Sequence, residues 1–211
     1  MQNSQTGRYS MSEIDNYGNE GGNAKFFSLK EDKEVAKARI MADVLEDIPF
    51  YVAHEIEVNG KRTLVKCNRS YGDPLDNCPL CKAGIKQQVK FFIPMYMEDE
   101  GVVKFWERGK TFASKLSSLA GRFNPLVNTL FEIERNGAKG STTTTYETFP
   151  LETVPGQSIL NQLPEVQEVI GTFIKDLDNE QMNNFLQTGS IENVQARPSY
   201  NQSNNQGYNQ P

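Results

Sequence analysis

The sequence predicts a mainly β protein. Short runs rich in β-branched and aromatic residues, turn signals between them, and a single clear helical spacing among about seven strand-like runs point that way. Taken in order, Lys25–Lys30 and Glu34–Ala42 are expected as strands around the Glu31-Asp32-Lys33 turn, with an amphipathic helix over Glu34–Leu45 as the competing reading. Tyr51–Val58 and Lys61–Cys67 flank Asn59-Gly60, a two-residue hairpin signal. Cys78-Pro-Leu-Cys81 and a basic connector at Lys82–Gln88 follow. Val89–Tyr96 and Val102–Arg108 form the next expected hairpin, joined by an acidic turn that ends in Gly101. Phe112, Leu116, Leu119 and Phe123 recur at helical spacing, so Gly109–Arg122 is expected as a helix. Val127–Arg135 and Thr142–Phe149 are expected as strands around the Gly-rich loop 136–140, and Pro164–Leu186 should contain a helical segment with an acidic exposed side.

This order fits a small Greek-key barrel of the oligonucleotide/oligosaccharide-binding type, with a β-sandwich as the other candidate. The core is expected over 25–150, with a metal subdomain at about 51–85 and an acidic helical segment over 151–186. Residues 1–24 and the Gln/Asn-rich 187–211 lack a core-forming pattern and are expected as disordered tails.

No apolar run among the 211 residues approaches the roughly 18 needed to span a membrane, and the amino terminus does not resemble a secretory leader. A cytoplasmic location is therefore expected. The formal net charge of −5 is unevenly spread: residues 25–146 carry +3 and the remainder −8. A basic centre between acidic ends is a weak flag for an anionic partner.

The only histidine and all three cysteines fall between His54 and Cys81. A C-x-x-C turn aims two sulfurs at one point. In the hairpin, the Asn59-Gly60 turn sets Val58 against Lys61, Glu57 against Arg62 and His54 against Val65, so Cys67 lies diagonal to His54 on the same face. Diagonal neighbours sit within roughly 7–8 Å. Thiolate and imidazole are zinc ligands, and His54, Cys67, Cys78 and Cys81 complete a closed, structural Cys₃His site. Three buried thiols with a satisfied core histidine is the plainer alternative. An odd cysteine count argues against a disulfide.

The hairpin at 89–108 carries the other signal. Alternation puts Val89, Phe91, Ile93 and Met95 on one face with Val103 and Phe105. Lys90, Phe92 and Tyr96 then share the opposite face with Lys104, Trp106 and Arg108, with Phe92 opposite Trp106 and Lys90 opposite Arg108. Aromatic plates between cations suit a single-stranded nucleic acid, whose bases stack and whose phosphates need counter-charge. Lys110, Lys115 and Arg122 would extend that track, with Lys66, Arg69 and Lys139 as further contacts. The alternative is a second core face with Trp106 buried and the charges at its rim.

The pattern His54-x₁₂-Cys67-x₁₀-Cys78-Pro-Leu-Cys81, followed by a hairpin ending F-W-E-R-G-K, resembles the zinc-containing single-stranded DNA-binding proteins of T-even and related tailed bacteriophages. The similarity spans roughly residues 25–150. It implies an oligonucleotide-binding barrel with a zinc subdomain that coats single strands without sequence preference in DNA replication, recombination and repair. It also implies DNA contacts at Trp106 and Lys110. Two features depart from the family. Residues 1–24 hold Arg8 as their only cation, where the family has a basic segment that supports cooperative binding. The chain ends N-Q-G-Y-N-Q-P, with acids earlier at Asp176, Asp178 and Glu180, where the family recruits replication or recombination partners through an acidic tail.

A zinc deaminase places a Glu beside its ligands and keeps a position open for water; here Cys67 fills that position, so no enzyme is expected. A zinc-stabilised protein-interaction module is the remaining alternative.

Overall fold

The computed structural model describes residues 25–191, which divide into two compact units. Of the tails expected at 1–24 and 187–211, residues 1–24 and 192–211 lie outside the described residues, whereas Gln187 and Thr188 are not tail but the end of the last helix, which Gly189 caps. Eight strands and few helices make this part of the chain mainly β. No helix among the described residues is long and apolar enough to cross a membrane.

The first unit comprises the described residues up to Tyr51 together with Gln88–Gln167. Its main strands are β1 (Val35–Ile40), β4 (Gln87–Met97), β5 (Val102–Gly109), β6 (Thr129–Asn136) and β7 (Thr145–Thr153). These five strands pair antiparallel, in the order β7-β6-β1-β4-β5. No ladder joins β5 to β7 among the described residues, so the sheet is open. Ile40, Ile93, Met95, Phe131 and Ile133 alternate into one core beneath it. The expected helix forms as α2 (Ala113–Arg122) after a 3₁₀ turn at Lys110–Phe112, and Leu116 and Leu119 are its buried residues.

The competing helix over Glu34–Leu45 does not form, because β1 is held between β4 and β6. The strand expected at Lys25–Lys30 is reduced to a single bridge. Phe27 N–H donates to Phe105 O at 2.8 Å and Phe105 N–H donates to Lys25 O at 2.8 Å. Beyond it the chain leaves β5, and Leu29 enters the core from a non-strand backbone.

The second unit comprises Val52–Gln87 and the described residues from Glu168 onward. Most of β2 (Phe50–Val58) lies here with β3 (Lys61–Lys66), β8 (Ile174–Lys175), α1 (Pro79–Lys82) and α3 (Asn179–Thr188). β3 runs antiparallel to β2 and parallel to β8, so this arrangement is mixed and also open. Asn59 and Gly60 both take positive φ (51° and 74°), the geometry of the tight hairpin turn that their sequence signals. The helical segment expected over Pro164–Leu186 begins only at Asn179, because Asp178 caps it. The Asp178 carboxylate accepts from the Gln181 backbone N–H at 2.8 Å, and the Gln181 side-chain Oε1 accepts from the Asp178 backbone N–H at 2.8 Å. Replacing Asp178 with alanine should cost about 0.5–2 kcal/mol. A urea titration read on this unit would show the loss, and an unchanged midpoint would mean the cap is not what holds α3.

Candidate functional site

The four expected ligands come together. Register across β2 and β3 pairs Val58 with Lys61, Glu57 with Arg62 and His54 with Val65, as the Asn-Gly turn requires. Cys67 N–H donates to Val52 O at 2.9 Å, which carries the hairpin one step past β3 and holds the Cys67 backbone in place. Cys78 is the N-cap of α1 and Cys81 lies one turn on, with Pro79 at the first helical position. His54 and Cys78 have no exposed surface, while Cys67 and Cys81 are 7% and 8% exposed.

The donor atoms lie within 4.8 Å of one another. His54 Nε2 is 3.5 Å from both Cys78 Sγ and Cys81 Sγ, and Cys67 Sγ is 3.6 Å from Cys81 Sγ. A tetrahedral ion with metal–sulfur and metal–nitrogen bonds of about 2.3 and 2.0 Å would set sulfur–sulfur edges near 3.8 Å and nitrogen–sulfur edges near 3.5 Å. The donor set therefore fits a metal ion. All three cysteines are free thiols.

The surrounding polar groups suit that occupant. His54 Nδ1–H donates to Ile85 O at 2.9 Å, which leaves the Nε2 lone pair facing the sulfurs. Burial holds the His54 pKa below its ordinary value and so favours the neutral ring that a metal needs. Burial also pushes the Cys78 thiol up, but backbone N–H groups of Cys81, Asn68 and Leu80 outweigh it and the net shift is down. Cys81 lacks that help. Burial, followed by the neighbouring Cys67 and Cys78 sulfurs, pushes it up to about 12. Three thiolates this close repel one another, and a divalent cation reverses the balance. Ile56, Val65, Leu80, Leu177 and Met182 close around the cysteines, with Met182 Sδ 3.8 Å from Cys78 Sγ.

The expected stacking face is different. β4 and β5 pair one residue out of the expected register: Ile93 faces Trp106, Phe92 faces Glu107, Phe91 faces Arg108 and Lys90 faces Gly109. The turn is a four-residue loop, 98–101, closed by Gly101 N–H donating to Met97 O at 2.9 Å with Gly101 at φ 67°. A slip of one residue exchanges faces. Lys90, Phe92 and Tyr96 thus lie on the side opposite Lys104, Trp106 and Arg108. Val103 and Phe105 join the Phe92 side rather than that of Ile93 and Met95.

Trp106 is accordingly a core residue, 2% exposed, packed edge-on to Phe27, Phe112 and Tyr146. Phe92 is fully buried against Phe26 and Tyr51. Neither is an exposed stacking plate. Four of the expected basic contacts are engaged by carboxylates: Lys90 by Glu107 at 3.1 Å, Lys104 by Glu100 at 2.7 Å, Lys139 by Glu31 at 2.6 Å and Lys66 by Asp176 at 3.5 Å. The last pair and the Asp178 cap also occupy two of the acids expected to recruit partners. Arg69 sits beside the cysteines, its Nη2 donating to Gln87 Oε1 at 3.0 Å. Tyr96 is half-buried.

What the structure does gather is a cation among rings. The Arg108 guanidinium carbon lies 4.0 Å from the Tyr146 ring centre, 4.5 Å from that of Trp106 and 5.8 Å from that of Phe112. Its Nε is buried with no hydrogen-bond partner. Burial pulls its pKa down, while a side-chain hydrogen bond with Tyr146 and the charge of Glu107 act the other way. Lys110 is exposed two residues on, and Lys115 donates to Tyr146 O. Tyr146 and Gln87 are the side chains sequence reasoning missed. Tyr146 sits in a Thr-rich run with no aromatic neighbour, and nothing in the Gln87 context distinguishes it from a linker residue.

No protein-family model matches the chain, and a search of curated proteins finds no match.

Proposed function

We propose that this protein binds single-stranded DNA without sequence preference, stoichiometrically and without catalysis, and that zinc is the structural ion of its second unit. The observation that carries the binding reading is Arg108. Its guanidinium is held against aromatic rings, which stabilise it, and its Nε has no hydrogen-bond partner, so it has donor capacity left for an anion such as a nucleic-acid phosphate. Lys110 adds a second exposed cation, and the residues from 25 to 146 carry a net +3. The resemblance to phage single-strand binders supports the same reading and a role in replication, recombination and repair. The barrel reading has its own support: Trp106 on β5 and Tyr146 on β7 touch at 5.2 Å although no ladder joins their strands, as when side chains close a curled sheet. Zinc is favoured because three thiolates and one imidazole in a closed site are its usual structural set.

Anisotropy of a labelled oligothymidylate, at two salt concentrations and beside a duplex of equal length, tests the reading. Single-strand binding should weaken as salt rises. Arg108→Gln should weaken it about tenfold, and the exposed Lys110→Ala should lower the salt slope by about 0.7. Equal affinity for the duplex, or no binding, would overturn it. One observation favours a protein partner instead: Phe149 and Leu151 on the outer strand β7 are nearly half exposed. A peptide ligand displaced by short oligonucleotides would bring the two readings onto one surface; one that is not displaced would separate them.

A further inference from the structure

The metal centre is held asymmetrically, and the asymmetry lies at Cys67. Its sulfur accepts two N–H groups: the Arg69 backbone at 3.4 Å and the Gln87 side-chain amide, through Nε2, at 2.9 Å. The amide is itself held by Arg69, whose Nη2 donates to Gln87 Oε1 at 3.0 Å. The orientation of the amide follows from chemistry. Arginine offers only donors, so the oxygen of Gln87 must face Arg69 and its NH₂ must face the thiolate; the flipped amide would set N–H against N–H. Three thiolates and a neutral imidazole around a divalent ion leave a net charge of about −1. A donor polarised by a guanidinium is the group that disperses such charge.

We propose that Gln87 is an outer-shell residue of the metal centre, positioned by Arg69, and that this relay governs how tightly the ion is held through Cys67. Gln87 touches the ligand sulfur; Arg69 acts through it. Both are half-buried, so the relay is shielded enough to matter electrostatically without being part of the apolar core. The inference rests on the metal reading of His54, Cys67, Cys78 and Cys81, and the test separates the two.

The full chain is purified with its metal, its metal content measured, and release to a chromophoric chelator timed. Gln87→Met, which keeps length and removes the donor, should release the ion about 10–100 times faster than the native chain. Arg69→Ala should give a smaller acceleration, and Arg69→Lys, which restores a donor to the amide oxygen, should recover most of it. Cobalt substitution supplies a readout that general loss of stability does not move. Removing an N–H from a thiolate raises its donor orbital, so the sulfur-to-cobalt charge-transfer band should shift to lower energy in Gln87→Met, and less so in Arg69→Ala. A metal-loaded protein whose release rate and band are the same in all variants would overturn the relay alone. A native chain that carries no metal would overturn the centre and the relay together. If Gln87→Met does not fold, Arg69→Ala leaves every core residue and ligand in place, and its band position decides.

Discussion

Cys78→Ser, or prolonged chelation of the native chain, is expected to abolish the cooperative folding of residues 52–87 and 168–191. The buried cluster of this unit has eight residues, and three of them are the cysteines. Ile56, Val65, Leu80, Leu177 and Met182 are too few to offset the backbone entropy of two long segments. Structural zinc contributes an apparent 10–16 kcal/mol in small domains, as much as the roughly 5–15 kcal/mol that stabilises a typical protein. Serine at position 78 would lose a thiolate ligand and leave a hydroxyl where the native sulfur has no exposed surface. Metal content by elemental analysis and amide-exchange protection across 52–87 check this together. The core of the first unit contains none of the four ligands, so protection over β6 should persist. A Cys78→Ser chain that keeps its metal and its protection at β2 and β3 would remove the centre from the account of this fold.

Trp106→Ala should destabilise the first unit by about 3–5 kcal/mol, the cost of emptying a large aromatic site in a packed core. Trp106 meets three other rings within 5.5 Å and lies under the Arg108 guanidinium. Trp106→Phe should keep most of these contacts and lose much less. Chemical denaturation reads the difference directly. An exposed stacking plate would change stability by no more than about 0.5 kcal/mol, so a loss that small would contradict the pairing of Ile93 with Trp106. The distinction bears on function. Weaker nucleic-acid binding by Trp106→Ala would report a damaged support for Arg108 and Tyr146 rather than a lost stack, and should be accompanied by a lower unfolding midpoint.

The β2–β3 and β4–β5 hairpins show why one candidate site was legible and the other was not. Between β2 and β3 the turn is Asn59-Gly60, and two residues with positive φ permit one register. Once that register is set, counting residues places His54 and Cys67 on one face, and the C-x-x-C turn places the other two sulfurs. Between β4 and β5 the turn is drawn from Glu98-Asp99-Glu100-Gly101, which accommodates a three- or four-residue loop. Hydrophobicity could not choose between them, because both faces bury aromatics: Trp106 with Ile93 on one side, Phe92 and Phe105 on the other. A slip of one residue was enough to turn an expected stacking surface into core.

What the sequence determined by itself is therefore what short-range geometry dictates: a mainly β chain, the convergence of His54, Cys67, Cys78 and Cys81 to within reach of one metal ion, and the amphipathic helix built on Leu116 and Leu119. Only the tertiary structure decided the rest. It chose the β4–β5 register, matched Lys66, Lys90, Lys104 and Lys139 with carboxylates, and assembled Arg108 against Tyr146 and Gln87 against Cys67. Arg108 and Tyr146 are 38 positions apart in the chain and Gln87 and Cys67 are 20 apart. A register-fixing turn and a C-x-x-C spacing tie the four ligands together along the chain, but no such local device links Arg108 to Tyr146 or Gln87 to Cys67, so those contacts are set by how the strands pack.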